Sequence, residues 1–219
     1  MSEPLQNRVT PFGEIVAVPA RGTLMGNRGN LHDDHRHLVR TQSSRRDWVT
    51  CRLEFKNRRR EVMSPGKYTE LFFLDEVTAL AAGHRPCGEC RRDRFLQFRA
   101  AWAANILGDP DARPLVTQID PVLHADRLAG RGVQRRFESR IQSLPDGVIV
   151  QRLGEQGIAR LKWRGRLWQW SAAGYSDPAS FDALDTALVL TPRCTVAVLA
   201  GGYVPDVHAS AGQVNVRPT

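Results

Sequence analysis

Cys87-Gly88-Glu89-Cys90 is the stretch of this chain best equipped for chemistry. Two thiols separated by two residues can bend around one ion in a tight knuckle, or can cycle between dithiol and disulfide. The preceding segment, FFLDEVTALAAG (residues 72–83), reads as a short helix with Asp75 as its N-cap and Gly83 as its stop. That spacing predicts a knuckle just past a helix C-terminus, facing carbonyls. A redox dithiol of the thioredoxin kind needs the positive end of a helix to activate its thiol, so a metal knuckle is the expectation. A second constellation is Leu31-His32-Asp33-Asp34-His35-Arg36-His37, two carboxylates and three imidazoles in a Gly/Asn-rich stretch. His32, Asp33, Asp34 and His35 could hold a divalent ion and activate water for phosphodiester hydrolysis, which makes a metal-dependent nuclease or phosphodiesterase the alternative function. They lack a fixed ligand spacing such as His-Glu-x-x-His, and polar turns of this composition also occur without chemistry.

The elements that must position these groups follow from periodicity. Residues 15–18 read as a strand, and 21–34 as loop. WVTCRLEF and RRREVM read as two strands of a hairpin turning at Lys56-Asn57. In that hairpin Val49, Cys51, Leu53 and Phe55 share one face, so Cys51 is either a ligand at the core edge or a small buried apolar residue. After the knuckle, Phe95, Phe98, Trp102 and Ile106 recur at helical spacing and form a core stripe, ended by Gly108-Asp109-Pro110. Weaker helical patterns cover 122–128 and 137–144. Beyond them GVIVQRL, GIARLKW and RLWQWSA read as strands, ALVLTP as a buried strand and TVAVLAGG as a short helix. Trp163, Trp168 and Trp170 are read as core, and the isolated Cys194 as a buried small residue. The fold class is α+β. Residues 1–109 form a region with a β-hairpin and helices carrying the knuckle. Residues 110–219 form a small mixed region, a β-meander with a helix, packed on the first.

Composition narrows the classes. The chain has 219 residues, 42% hydrophobic and 25% charged, long enough to bury a core without disulfides. No apolar run is long enough for a membrane span, the first residues do not read as a signal peptide, and four cysteines with two in one knuckle do not resemble a secreted disulfide framework. A cytoplasmic protein with no membrane partner is expected. Net charge is +8, and of 31 basic residues all but Lys56, Lys67 and Lys162 are arginine. Arginine forks phosphate bidentately. The clusters Arg58-Arg59-Arg60 and Arg91-Arg92 flank Cys51 and the knuckle, which points to DNA or another phosphate-rich polymer as partner.

An aromatic pair, a short Ala-rich helix, then Ala-Ala-Gly, a ring, and Arg85-Pro86-Cys87-x-x-Cys90-Arg91 resembles the second half of the zinc-binding N-terminal domain of Ada-type DNA repair proteins, over residues 68–92. The resemblance implies a zinc held by four Cys, DNA binding, a role in DNA repair, and a zinc thiolate that accepts a methyl group from a damaged phosphotriester. Cys87 and Cys90 fall on the family's second ligand pair. In the first pair Cys51 is present, but Phe55 stands where the other Cys belongs, and His84 stands where the family has Phe. Three Cys with one His is an accepted zinc set, so His84 is the nearest candidate for the fourth place, with His32, His35 and His37 competing. The reading is thus a DNA-associated protein with zinc on Cys51, Cys87, Cys90 and His84, and Arg58, Arg59, Arg60, Arg91 and Arg92 on phosphates. A metal-free binding protein with no catalytic role is the remaining alternative.

Overall fold

Strand pairing over long sequence distances builds the first layer of the molecule. The computed structural model describes residues 3–42, 44–57, 61–130 and 132–212. Six strands, β1 (Gln6–Val9), β2 (Ile15–Ala17), β3 (Leu24–Asn27), β4 (Val49–Cys51), β5 (Leu71–Phe73) and β6 (Arg85–Pro86), form one sheet in the order β2-β1-β5-β3-β4-β6. Pairing is antiparallel except for β1 with β5 and β4 with β6. The expected loop over 21–34 therefore contains an internal strand. Gly26 is there for close packing, because a Cβ would strike the Val49 carbonyl oxygen of β4 and the Phe73 ring of β5.

The hairpin expected at Lys56-Asn57 does not form among the described residues. Both edges of β4 are already taken, by β3 and β6, and the chain leaves the sheet after Cys51. Lys56 and Asn57 do turn, each at φ 53°, but Val62 and Met63 are a further turn and not a returning strand. Leu53 is correspondingly exposed instead of sharing a buried face with Cys51.

The helix α1 (Glu76–Ala81) starts as expected: the Asp75 side chain accepts the Thr78 N–H at 2.9 Å. Gly83 ends the turn at φ 78°, and a Cβ at this position would meet the Arg127 side chain, so glycine is required twice over. All six residues of α1 are buried. Ala79 packs with Val9, Leu71 and Phe73 of the first sheet, and Val77 and Ala81 with Ile149, Leu161 and Trp168 of a second. That second sheet is wholly antiparallel, ordered β11-β10-β9-β8-β12-β7, from β7 (Phe137–Arg140), β8 (Val148–Arg152), β9 (Arg160–Trp163), β10 (Arg166–Ser171), β11 (Gly174–Ala179) and β12 (Thr186–Val189). The β9–β10 turn is Arg164-Gly165, both at positive φ. Helices α2 (Arg92–Trp102), α3 (Val116–Arg127) and α4 (Arg193–Ala200) cover its other face, where Phe98, Trp102, Ile119, Leu123 and Val198 meet Val148, Val150 and Val189. The molecule is α+β. Phe137–Arg140 is an edge strand instead of the expected helix, since its alternation of half-buried and exposed residues suits one-sided pairing with β12. Trp168 and Cys194 are buried, and Trp163 and Trp170 are packed against the α1-facing side of the sheet.

Candidate metal centre

The parallel pair β4–β6 creates the site. Val49 is in register with Arg85 and Thr50 with Pro86, so the next step along both strands sets Cys51 beside Cys87. The Cys87 N–H donates to the Thr50 carbonyl at 2.9 Å and continues that register. The chain then turns through Gly88-Glu89, the Arg91 N–H closing on the Cys87 carbonyl at 3.2 Å, and returns Cys90 to the same place. The sulfurs of Cys51, Cys87 and Cys90 all lie within 4.8 Å of one another. Tetrahedral zinc with Zn–S bonds of about 2.3 Å holds its sulfurs roughly 3.8 Å apart, so this donor set fits a thiophilic ion with sub-ångström adjustment.

The knuckle is clamped on both sides by buried ion pairs. Before it, Arg85 holds Asp120 of α3 bidentately, at 2.6 and 2.8 Å. After it, Arg91 reaches Glu76 of α1 and Asp206, both at 3.0 Å, and donates to the Thr50 hydroxyl at 3.0 Å. Arg91 is therefore 3% exposed and unable to grip phosphate, which corrects the expectation for it; Arg92 is exposed at the start of α2. Arg58, Arg59 and Arg60 lie outside the described residues.

The helix ends are also reversed from expectation. Strand β6 intervenes between α1 and the knuckle, and Cys90 stands just before the N-terminus of α2. The start of a helix, not its end, thus adjoins the knuckle in the chain. Convergence of a third thiol distinguishes the arrangement from a two-cysteine redox site. Within the cluster the three thiols are shifted in different directions. Cys87 is held far below the ordinary thiol range by hydrogen bonds from Cys51 and Cys90, with the Glu89 N–H at 3.4 Å assisting. Cys51 is pushed far up by the same bonds, to Cys87 first and Cys90 second, and by burial. Cys90 is also raised: its bond with Cys51 lowers it, but its bond with Cys87 and burial outweigh that.

His84 does not join the cluster. Its ring is buried between Trp48 and Phe73, with centroids at 5.1 and 4.7 Å, and its Nε2 accepts from Arg28 Nε at 3.3 Å. It packs as an aromatic ring, and burial followed by the charges of Arg28 and Arg127 keeps it neutral, well below the usual imidazole range. Nor are His32, Asp33, Asp34 and His35 assembled into a metal group among the described residues. His32 is buried with Nδ1 on the Thr69 hydroxyl (2.6 Å) and Nε2 on the Ser64 carbonyl (3.1 Å), while Asp33 accepts the backbone N–H groups of His35 and His37, both at 2.9 Å. Those side chains shape a turn. Asp34, His35 and His37 are exposed.

No further His, Asp or Glu of the described residues lies within reach of all three sulfurs. The cysteines instead line a cavity of about 310 Å³ together with Met25, Phe55 and Phe72, the exposed Arg52 at its edge, and Glu70, whose carboxylate accepts the Met63 N–H at 2.8 Å. Sequence reasoning missed this open side because it is made by residues of β3, β5 and the segment after β4 that no spacing connects. No protein-family model, curated protein or solved structure matches the chain.

Proposed function

We propose that the protein is a zinc-binding, DNA-associated protein of Ada-like type, acting in DNA repair, in which Cys51, Cys87 and Cys90 hold the ion and an exchangeable ligand completes its coordination from the adjoining cavity. The observation that carries this reading is the convergence of three sulfurs, two on register-matched parallel strands and one across the knuckle, with an open fourth side. Closed four-ligand sites are structural, whereas three protein ligands plus an open position are the arrangement of reactive zinc. Bound there, zinc would supply Lewis acidity at that position. The chain's own part is to hold the thiolates: the Glu89 N–H favours the charge of Cys87, and the Arg85 and Arg91 ion pairs fix both ends of the knuckle. The cytoplasm is the compartment that keeps such thiols reduced.

The DNA half of the reading is supported by the Ada-like motif, the net charge of +8, and exposed Arg52 and Arg92 next to the thiols. Metal analysis of the full chain tests the centre. One equivalent of zinc is expected, lost in Cys51→Ser and Cys87→Ser but retained in His84→Phe and His32→Ala. Absence of zinc from the wild type, or its loss in His84→Phe, would overturn the assignment. Affinity for duplex DNA should fall steeply with added salt.

A further inference from the structure

The open side of the thiol centre carries a fourth sulfur. Met25 of β3 is the register partner of Cys51 on one side and of Phe72 on the other. Residues directly opposite each other on paired strands project from the same face. Phe72, Met25 and Cys51 thus form one row across β5, β3 and β4, which Cys87 continues beyond β4. A Cβ on Gly26, the next residue, would instead meet the Phe73 ring on the opposite face. Met25, Phe72 and all three cysteines accordingly line the same cavity of about 310 Å³, and Met25 is only 8% exposed. The other polar groups of the wall are engaged elsewhere: Glu70 accepts the Met63 N–H at 2.8 Å, and Glu89 holds Lys56 at 3.3 Å. Among the described residues no carboxylate lies within reach of all three sulfurs. Of the apolar residues lining the cavity, Met25 alone brings a donor atom.

We propose that Met25 is the fourth donor of this centre when it holds a soft monovalent ion, copper(I), and that copper(I) thereby closes the position that zinc leaves open. The inference rests on the three-thiol reading of the site given above. Thiolate and thioether sulfur together select copper(I), whereas zinc takes Cys, His and carboxylate donors and gains little from a thioether. A thioether is neutral, so it completes the coordination without adding charge beside three acidic sulfurs. An unbranched side chain with several rotatable bonds can turn toward a neighbour on the adjacent strand without moving the backbone. Loading is an exchange of one ion for another: the sulfurs keep their oxidation state and no electron is transferred. The result is a centre whose exchangeable position is available with zinc and blocked with copper(I).

The test is anaerobic titration of the zinc-loaded full chain with copper(I) held by bicinchoninate. A chromophoric chelator reports zinc release, and urea unfolding reports the fold. One copper(I) should bind and one zinc should leave. Met25→Leu keeps the side-chain volume, so unfolding should stay close to that of the wild type. It should weaken copper(I) by at least about tenfold, the scale on which groups around a metal act, and leave zinc affinity unchanged. X-ray absorption at the copper edge should show one sulfur fewer in that variant. Equal copper(I) affinity in the two proteins overturns the inference, as does a parallel loss of both metals, which would make Met25 a packing residue. Zinc held by the cysteines with copper(I) indifferent to Met25 sinks this inference alone. Binding of neither metal removes the three-thiol centre itself, whereas copper(I) bound through Met25 without any zinc removes only the zinc assignment.

Discussion

Two buried arginines of the molecule, Arg85 and Arg127, are held in different ways. Arg85 and Arg91 bracket the thiol knuckle, and each meets carboxylates: Asp120 for the first, Glu76 and Asp206 for the second. Arg28 and Arg127 bracket Trp48, and the contacts that Arg127 makes are an indole face and neutral acceptors. A paired guanidinium fixes geometry, since moving either partner strands a charge.

The largest effect should come from breaking a paired one. Arg85→Met leaves Asp120 buried without its partner, and about 3–5 kcal/mol of stability should be lost in urea unfolding. The double variant Arg85→Met/Asp120→Leu should recover most of it, because two apolar residues of similar volume need no counter-charge. Arg127→Met should cost less, about 1–2 kcal/mol, as the lost stacking is offset by relief from a buried like charge. If the two single variants cost the same, the contrast between the pairs fails.

The thiol cluster responds to protons. In the metal-free cluster Cys87 is lowered by hydrogen bonds from Cys51 and Cys90, while Cys51 and Cys90 are raised, so about one thiolate is expected in the group at neutral pH. A metal must therefore displace about two protons, and apparent affinity should rise about a hundredfold per pH unit between about pH 6.5 and 7.5. Competition against a chelator at several pH values reads the slope. The sign follows from the raised groups: metal is favoured as pH increases and is lost as pH falls. A slope near zero would mean that all three sulfurs are already ionised, and a slope near three would mean that Cys87 is not the thiolate.

Much of the local structure was legible from the chain, and the misses share a cause. The Asp75 cap, the Gly83 stop, the core stripe of α2 and the strands β8 to β10 depend on neighbours within a few residues, where periodicity and turn chemistry act. The fourth ligand was misassigned because His84 is close to Cys87 in sequence but its ring is drawn into the Trp48–Phe73 stack on the far side of β6. Strand β3 was hidden because Gly26 reads as a loop residue until one knows that Val49 and Phe73 press against it. Charge was the least transferable signal: Arg91 reads as part of a phosphate-facing cluster in the sequence and is interior. The parallel register of β4 with β6, which brings Cys51 to the knuckle, joins segments more than thirty residues apart and leaves no local pattern.

The smallest predicted effect separates neighbours. Arg91 and Arg92 are adjacent, yet one is buried in ion pairs and the other is exposed at the start of α2. Arg92→Gln should leave unfolding unchanged within about 0.5 kcal/mol, as expected of an exposed position. It should weaken duplex DNA binding modestly and uniformly across sequences, lowering the salt-dependence slope by about 1 if its guanidinium meets one phosphate. Arg91→Gln should do the opposite, destabilising the fold by stranding part of the Glu76 charge and disturbing DNA binding only through the knuckle it anchors. Fluorescence anisotropy at several salt concentrations, set beside urea unfolding, distinguishes the two. A slope unchanged in Arg92→Gln would remove the knuckle's exposed edge from the DNA-facing surface and leave the arginines of other faces to carry that partner.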